Sequence, residues 1–361
     1  MDDILNYLVL AQAGINGYHL QRLASHCTAA ELCQQPVSTL RQMGLTERQA
    51  IAIRQPDMRL VQQAESWLKQ SPLHQLICYQ DRLYPPLLKQ TRQPPLVLFV
   101  AGNAALLSQP QIAIVGSRQP SPTGKQTAYQ FAAELVRQGY VITSGMARGI
   151  DSCAHQGALS VEGPTIAVLG HGLSRIYPKS NQALAGQIMQ QGALVSEYFP
   201  AVEARPAHFP QRNRIVAGLA RGTLVVEAAL KSGSLISAHL AVEANRDVFA
   251  IPGSIYHPQS AGCHALIQQG AKLTTCVADI LEEWTFFAKS GLKQQQSEKN
   301  STPDLFDDSL LANVGDEATA VDQIAERSGL SVADTTIALL QLELAGLVAV
   351  VPGGYIRVRS T

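Results

Sequence analysis

Short, mainly apolar runs alternate with amphipathic stretches through the middle of the chain. The runs lie at residues 112–117, 140–145, 164–170, 193–197, 223–228 and 247–253. Each run is mainly continuous in its apolar character, as expected of parallel strands that are buried on both faces. The stretches between them, including 124–139 and 234–246, have the pattern of amphipathic helices. We therefore predict an α/β fold in which helices cover both faces of a doubly wound, mostly parallel sheet.

The segments on either side of this region have different patterns. Residues 1–75 contain short helical patterns that are broken by glycine and proline, at Gly14, Gly17, Pro36, Gly44, Pro56 and Pro72. Residues 286–315 are polar and rich in Gln and Ser, as is typical of a flexible linker. We predict a small helical domain over 1–75, the α/β domain over 76–285, the linker over 286–315 and a compact C-terminal domain over 316–361.

The charges balance over the whole chain. The 361 residues include 28 basic and 28 acidic side chains, so the formal net charge is zero, and 46% of the residues are apolar. A chain this apolar and weakly charged is not intrinsically disordered. Zero net charge also excludes a protein that attracts nucleic acid over its whole surface, as a histone does. A local basic site is still compatible with these numbers.

Neither a membrane segment nor a metal site is predicted. No run approaches the length of about 18 apolar residues that a bilayer-spanning helix requires, and the acidic N-terminus lacks the basic region of a signal peptide. The six cysteines have irregular spacing with no CxxC pair, which is typical of free thiols in a reducing compartment. We therefore expect a soluble cytoplasmic protein without a bound metal.

The loop after the first predicted strand of the α/β domain has residues suited to binding a phosphate. Gly116 allows a ligand to approach the backbone closely, Ser117 offers a hydroxyl and Arg118 offers a two-pronged guanidinium. A helix predicted to begin near Thr123 would point its backbone amides at the same place. The spacing to Gly124 is too long for a Walker A loop, and the chain has no GxGxxG sequence. We therefore predict no nucleotide cofactor, and a dinucleotide oxidoreductase is disfavoured.

The loops after the second and third strands contain further charged residues. Asp151 is well placed to cap a helix that carries His155, and this interpretation is favoured over an acid–base pair of the two side chains. Arg148 could contact a phosphate or pair with Asp151, and the sequence does not decide between these roles. Arg175 and Lys179 follow the third strand.

The strongest local charge follows the fourth strand, where residues 205–231 contain five basic residues and one acidic residue. Phe209 lies among them in a segment rich in Gly and Pro, which we predict to be a loop. An aromatic ring beside several guanidinium groups suits single-stranded nucleic acid, because the ring stacks on a base while the cations follow the phosphates. The alternatives are that Phe209 packs in the core and that the arginines are solvated or paired within the protein. Lys231, Ser232 and Gly233 then open the next predicted helix, whose first amides are a further candidate anion site.

Four motifs in this region resemble those of the bacterial DNA-processing protein A family, also called DprA or Smf. They are GSR at 116–118, GxARGID at 145–151, FPxRNRI at 209–215 and SGSLI at 232–236, in the order and spacing of the family. The resemblance is strong over about residues 84–285 and weaker in the terminal segments. It implies an extended Rossmann-like domain that binds single-stranded DNA and is not an enzyme. It also implies that the protein forms a homodimer through this domain, helps to load the RecA recombinase and protects incoming DNA during natural transformation.

The resemblance also implies which residues form the DNA site. The family's DNA pocket corresponds here to Gly116, Ser117, Arg118, Lys179, Phe209, Arg212, Asn213, Arg214, Lys231, Ser232 and Gly233. One departure is His264 in SAGCHALI, where the family usually has Asn. Any polar role of that Asn in the family is therefore not assigned to His264.

The terminal segments resemble modules that family members carry. Residues 1–75 are similar to a sterile-alpha-motif or helix-hairpin-helix module, and residues 316–361 are similar to a winged helix. The second helix of the latter, at roughly 332–345, contains no Lys or Arg, so it is poorly equipped to enter a major groove. Residues 286–361 contain 6 basic and 10 acidic residues. We therefore predict that the tail is mainly a protein-interaction module, and we hypothesise that its negative charge competes with DNA for the basic cluster.

A competing hypothesis is an enzyme that processes a nucleotide or nucleotide sugar. Gly222 and Thr223, with Glu227 beyond them, loosely resemble the site of phosphoribohydrolases on a related fold. The Glu is further from the Thr than that pattern requires, and the preceding Pro-Gly-Gly is absent. Glu227 is therefore interpreted as a structural residue that pairs with an arginine of the pocket. A winged-helix transcription regulator is a third hypothesis, which the acidic tail disfavours.

Overall fold

The computed structural model describes residues 2–23, 27–284, 310, 313–315, 318–344, 347–351 and 353–357. The chain forms two compact units, Met1–Glu282 and Glu283–Thr361. Most of the predicted linker, from 286 to 309, lies outside the described residues. Within the part of the chain that is described, no helix is both long enough and apolar enough to cross a bilayer.

Six short helices begin the first unit, as the glycine and proline pattern predicted. They are α1 (Asp2–Gln12), α2 (Gly17–Leu23), α3 (Ala29–Gln34), α4 (Val37–Gln42), α5 (Glu47–Arg54) and α6 (Met58–Lys69). Two of them begin with reciprocal caps, in which Thr28 and Glu31 satisfy each other's backbone amides, as do Thr46 and Gln49. Their buried faces belong to the same hydrophobic core as the sheet that follows.

Nine strands form one mostly parallel sheet. They are β1 (His74–Cys78), β2 (Val97–Gly102), β3 (Gln111–Val115), β4 (Val141–Ser144), β5 (Thr165–Val168), β6 (Ala193–Ser196), β7 (Gly222–Val225), β8 (Asp247–Ala250) and β9 (Lys272–Leu273). Their order across the sheet is β1-β2-β6-β5-β4-β3-β7-β8-β9. The pairs from β6 to β9 are parallel, whereas β2 pairs antiparallel with both β1 and β6.

The six predicted strands are all present, at β3 to β8. Three more strands extend the sheet at its two edges and were not predicted. The apolar residues of β2 are all buried, but their pattern does not reveal that the strand runs antiparallel to β6. β9 is too short, at 2 residues, for any periodicity to identify it.

Seven helices and three short 3₁₀ turns connect the strands. The helices are α7 (Pro86–Lys89), α8 (Pro122–Arg137), α9 (Ile150–Leu159), α10 (Gln182–Gln191), α11 (His208–Leu219), α12 (Gly233–Glu243) and α13 (Ala261–Gln268). The turns lie at Ala104–Ser108, Lys179–Asn181 and Pro258–Ser260. Helices α8, α9 and α10 pack on one another in turn, and α11 packs on α12, as expected for the two helical layers of a doubly wound sheet.

The position of β3 determines where a ligand site can form. β3 lies between β4, the next strand along the chain, and β7, the strand that follows α11. Successive crossovers therefore leave β3 towards one edge of the sheet and continue from β7 towards the other edge. A crevice opens at the carboxyl ends of the strands where the order reverses in this way, and ligands of such sheets bind there.

In the second unit, the described residues from 318 onward form two helices followed by a hairpin. Its elements are α14 (Val321–Ser328), α15 (Val332–Leu344), β10 (Val348–Val351) and β11 (Gly354–Arg357). The unit has its own small core, which consists of Leu310, Val314, Ile324, Leu339, Leu342 and Val348. This order of elements is that of the predicted winged helix.

The core shared by the N-terminal helices and the sheet gives a stability prediction. Phe99 on β2 is fully buried, and its ring centroid lies 6.0 Å from that of Trp67 on α6 and 5.5 Å from that of Phe199. We expect Phe99→Ala to lower the free energy of unfolding by about 3–5 kcal/mol, because the truncation leaves a cavity at this junction. Denaturant unfolding followed by circular dichroism measures the change.

The matched control is Tyr18→Ala on α2, where the side chain is 55% exposed and the expected change is within about 0.5 kcal/mol. The helices α1 to α6 and the sheet should unfold together in wild type and variant. A separate early transition of the helices in Phe99→Ala alone would contradict a shared core.

Candidate nucleic-acid interface

A pocket of about 600 Å³ lies at the predicted crevice, above the ends of β3 and β7. It brings together nine of the eleven predicted site residues, namely Gly116, Ser117, Arg118, Phe209, Arg212, Asn213, Lys231, Ser232 and Gly233. Lys179 and Arg214 are not part of its lining. The pocket therefore collects residues from the loop after β3, from α11 and from the start of α12.

The loop after β3 is held by its own backbone and presents Arg118. The amide of Ser117 donates to the carbonyl oxygen of Glu227 at 2.7 Å, and the Ser117 hydroxyl accepts from the amide of Gln119 at 3.1 Å. A Cβ at Gly116 would lie 2.7 Å from the side chain of Ile150, so only glycine fits this close approach. Arg118 is exposed, and its guanidinium carbon lies 5.9 Å from the centre of the Phe209 ring.

The start of α8 is not the phosphate site that the sequence predicted. The carboxylate of Glu227 accepts from the amide of Ser121 at 2.9 Å and from its hydroxyl at 2.5 Å, and this hydroxyl caps the helix by accepting from Gly124. A Cβ on Gly124 would meet the same carboxylate at 2.4 Å. A buried carboxylate therefore already occupies the positive end of the helix dipole, where an anionic ligand would otherwise bind.

The contacts of Glu227 also correct its predicted pairing and bear on the competing enzyme hypothesis. Among the described residues, the carboxylate binds Ser121 and forms no ion pair with an arginine of the pocket. Thr223 is fully buried within β7. Glu227 therefore caps the start of α8, Thr223 lies inside the sheet, and neither residue lines the pocket.

The segment that carries Phe209 and the two arginines is a helix, whereas the sequence predicted a loop. All three residues lie on α11, and Pro210 is its third residue. Proline is tolerated there because amides in the first turn of a helix have no intrahelical partner to lose. The Gly and Pro content of the segment was therefore misleading.

Arg212 forms the floor of the pocket and is buried, at 4% exposure. Its guanidinium donates to the carbonyl oxygens of Gly145 and Val168, which follow β4 and end β5. Burial lowers the pKa of Arg212 to about 10, and the nearby carboxylate of Asp151 opposes that shift. The side chain therefore stays charged at neutral pH, and its guanidinium is engaged within the protein, which is one of the alternatives that the sequence left open.

Asp151 is a buried carboxylate that interacts electrostatically with Arg212. It is the second residue of α9, whose N-cap is Gly149, so the prediction that Asp151 caps the helix was wrong by two positions. Its carboxylate accepts from the amide of Ala147 at 3.2 Å. Burial raises the pKa of Asp151, while Arg212 and the hydrogen bonds oppose that rise.

His155 is a buried core residue and does not pair with Asp151. Its Nδ1 lies 2.7 Å from the hydroxyl of Thr165, which donates in turn to the carbonyl oxygen of Ile142. Burial lowers the pKa of His155 to about 3, so the ring is neutral at neutral pH. The described residues contain no group of three or more potential metal ligands.

Arg214 lies on the side of α11 away from the pocket. It forms an ion pair with Glu197 and lines a separate, smaller cavity together with Thr91 and Arg92. Residues two positions apart on a helix point about 200° apart, so Arg212 and Arg214 cannot face the same pocket. Arg214 therefore does not line the pocket that contains Arg212, and its role in DNA binding stays a prediction.

Lys231, Ser232 and Gly233 form the predicted helix start. Ser232 is the N-cap of α12 and accepts from the amide of Ser234, and Lys231 is exposed beside it. The side-chain amide of Asn213 lies 3.4 Å from the carbonyl oxygen of Gly233, which connects α11 to this start. The exposed cations of the pocket lining are therefore Arg118 and Lys231, one on each of the two loops that flank the crevice.

Three polar residues outside the pocket have clear positions. Lys179 is exposed at the start of a 3₁₀ turn. Asn181 in this turn donates to the carbonyl oxygen of Met146 at 2.9 Å, which anchors the turn to the loop after β4. His264 on α13 lies with its Nε2 3.0 Å from the carbonyl oxygen of Gly253, so the residue that departs from the family pattern still contacts the loop after β8.

One aromatic residue beside the pocket was missed by sequence reasoning. The ring of Tyr177 lies 5.8 Å from that of Phe209, centre to centre. The available signal was an aromatic residue between Arg175 and Lys179, but nothing in the local pattern placed it next to α11. Only the folded chain brings the two rings together.

Comparisons with known proteins show which family the chain resembles over most of its length. The family model for DNA recombination-mediator protein A matches residues 75–285, and the model for the DprA winged helix domain matches residues 294–354. Protein Smf of Escherichia coli strain K12 is 46% identical over 326 residues, which cover 89% of this chain and 87% of that protein. DNA processing protein DprA of Streptococcus pneumoniae is 48% identical over 206 residues, or 57% of this chain and 73% of that protein.

Two solved structures of similar proteins share the fold. The X-ray structure of DprA from Streptococcus pneumoniae has a TM-score of 0.67 at 37% identity, and the match covers 77% of this chain and 97% of that chain. DprA from Helicobacter pylori has a TM-score of 0.53 at 31% identity over 58% of this chain and 96% of that chain. The latter structure is described as giving insight into a unique single-stranded DNA binding mode.

The fold and the pocket define a Rossmann-like α/β protein with a basic, aromatic crevice at the switch point of its sheet. The family model covers more than half of the chain, and the relative from Escherichia coli is 46% identical over 89% of it. The chain belongs to the DNA recombination-mediator protein A family, also known as DprA or Smf.

The buried position of Arg212 gives a testable prediction. We expect Arg212→Ala to lower the free energy of unfolding by about 3 kcal/mol, because it leaves two strand-end carbonyls without a donor and Asp151 without a nearby positive charge. The exposed Arg118→Ala should change it by no more than about 0.5 kcal/mol. Chemical denaturation at neutral pH measures both.

A double variant, Asp151→Asn with Arg212→Met, tests the electrostatic part of this effect. It should recover part of the loss, since no uncompensated carboxylate is then buried. Equal stability of Arg212→Ala and wild type would show that the guanidinium is not a structural element.

Proposed function

We propose that this protein binds single-stranded DNA in the pocket above β3 and β7. The observation that carries the proposal is the position of Phe209, a partly exposed ring flanked in one pocket by the exposed cations Arg118 and Lys231. A base stacks on the ring, and the cations contact the phosphates on either side of it. The family membership and the DNA-binding relative from Helicobacter pylori support this proposal.

The concave shape of the site favours a single strand over a duplex. Phe209 lies within a crevice, so a base must leave its own stack to reach the ring, and this costs little only in unpaired DNA. A mononucleotide ligand is less well supported. The helix start nearest to the GSR loop, which could have held a terminal phosphate, is occupied by the carboxylate of Glu227.

Substitution of the two exposed cations tests the proposal. We expect Arg118→Ala and Lys231→Ala each to weaken binding to a poly-dT oligonucleotide and to reduce the slope of log K against log salt concentration by about 0.7, because each removes one phosphate contact. The loss should depend little on base sequence. Fluorescence anisotropy at several salt concentrations measures affinity and slope together.

Arg137→Ala is the matched control, since Arg137 is exposed at the far end of α8. It should bind like wild type. Unchanged affinity and slope in both pocket variants would contradict the proposal, as would tighter binding of wild type to duplex than to single strands. Release of a free base from nucleoside monophosphates would instead favour the nucleotide-processing enzyme.

We also propose the family's wider role for this chain. In this role it acts without catalysis in the cytoplasm as a homodimer formed through the Rossmann-like domain, helps to load RecA onto single strands and protects incoming DNA during natural transformation. The support is the match to a recombination-mediator family and to relatives named DNA processing protein.

The RecA role has its own test. Wild-type protein should raise the rate at which RecA filaments assemble on single-stranded DNA, and Arg118→Ala should raise it less, because loading requires the mediator to hold the strand. Sedimentation of the free protein gives its oligomeric state in the same buffer. No acceleration by a wild-type protein that binds DNA normally would remove RecA loading from the proposal and leave DNA binding intact.

A further inference from the structure

An exposed tyrosine continues the aromatic surface of the pocket beyond Phe209. The ring planes of Tyr177 and Phe209 are inclined by 42°, with their centres 5.8 Å apart. Tyr177 is 55% exposed. Arg118 lies over the Phe209 ring at 5.9 Å. Phe209 therefore has a guanidinium and a second ring as neighbours, and both of these neighbours reach solvent.

The backbone around Tyr177 is fixed before any ligand binds. Nε2 of the buried His171 lies 3.4 Å from the carbonyl oxygen of Tyr177, and the two rings meet edge to face with centres 6.4 Å apart. Two residues beyond Lys179, the side-chain amide of Asn181 donates to Met146 and to Ser152. The segment that carries Tyr177 is therefore anchored at both ends. Little conformational entropy of the protein is lost when a ligand contacts the ring.

Because its ring is exposed, Tyr177 is better placed to stack on a base than to pack within the protein. A ring that is more than half exposed gains little from burial, whereas stacking on a base uses its free face and tolerates any sequence. The 42° inclination prevents one base from lying flat on both rings. The two rings therefore suit two successive bases, one on Phe209 and one on Tyr177.

We propose that Tyr177 is a second base-stacking residue of the single-stranded DNA site. The strand leaves the pocket over Phe209, stacks its next base on Tyr177 and brings the following phosphate to Lys179, which is exposed two residues further along. This inference rests on the proposed function, and it gives Lys179 a place on the DNA path although that residue lies outside the pocket lining.

Binding of a poly-dT oligonucleotide to three variants tests the role of the ring. Tyr177→Ala should weaken binding about tenfold, which lies in the lower part of the range that one lost stacking contact causes. Tyr177→Phe retains the aromatic face and should bind within about twofold of wild type. Tyr177→Leu keeps an apolar contact with Phe209 but offers no flat face to a base. Its affinity for the oligonucleotide should therefore fall as much as that of Tyr177→Ala.

The matched control is Tyr18→Ala, because Tyr18 is also 55% exposed but lies on α2 among the N-terminal helices. It should bind like wild type. The midpoint of chemical unfolding should be the same for the Tyr177 variants and wild type, since the side chain is mostly outside the core.

Two further measurements distinguish the loss of one base-stacking contact from a disruption of the whole DNA site. The salt slope should be unchanged in Tyr177→Ala but reduced by about 0.7 in Lys179→Ala, which loses a phosphate contact. A series of oligonucleotides with one abasic position, moved along the strand, should weaken wild-type binding at two neighbouring positions. In Tyr177→Ala, an abasic site at one of these two positions should not weaken binding further, because the base removed there is the one that stacks on Tyr177 in wild type.

Wild-type affinity in Tyr177→Ala, or an equal loss in Tyr177→Ala and Tyr177→Phe, would overturn the stacking role of Tyr177. So would a loss of the same size on a strand that lacks bases altogether. If Arg118→Ala and Lys231→Ala weaken binding while the Tyr177 variants do not, only this inference fails. If wild type binds no single-stranded DNA, the proposed function fails and this inference fails with it.

Discussion

The charge of Arg212, buried beneath the pocket, fixes the geometry of the site. Parallel strands end with carbonyl groups that have no partner within the sheet, and a buried carbonyl without a donor is costly. Arg212 donates to two such groups, on Gly145 and Val168, and thereby holds α11 against the ends of β4 and β5. Phe209 lies three residues earlier and so projects from the same side of the helix, which places its ring at the mouth of the pocket.

The distribution of the acidic groups determines which positive charges are left for a ligand. Glu227 neutralises the start of α8, and Asp151 lies near Arg212 beneath the pocket. Glu197 pairs with Arg214 on the other side of α11. Arg118 and Lys231 are the pocket cations that stay exposed, and the start of α12 lies in the same pocket. A chain with zero net charge can therefore still present a local basic site, because its acidic groups lie elsewhere or are engaged within the protein.

The sequence predicted the central sheet well, for a clear physical reason. Strands buried on both faces need apolar residues at every position, so β3 to β8 are visible as continuous apolar runs. The strands β1, β2 and β9, which extend the sheet at its two ends, were missed because their pairing depends on long-range contacts. α11 was mistaken for a loop because Pro210 is a helix breaker everywhere except in the first turn.

The sequence by itself determined the fold class, the family and the set of residues from which the pocket is built, since these follow from periodicity and from the order and spacing of motifs. Only the tertiary structure decided what each of these residues does. Arg212 and Arg214 belong to one motif, yet helical geometry turns them to opposite sides, one to unpaired carbonyls and the other to a carboxylate. Tyr177 and Phe209 are far apart in the chain, and they meet because β5 and α11 are neighbours in the folded domain. The exposure of a side chain and its pairing depend on neighbours that are distant in the sequence, so the local sequence does not reveal them.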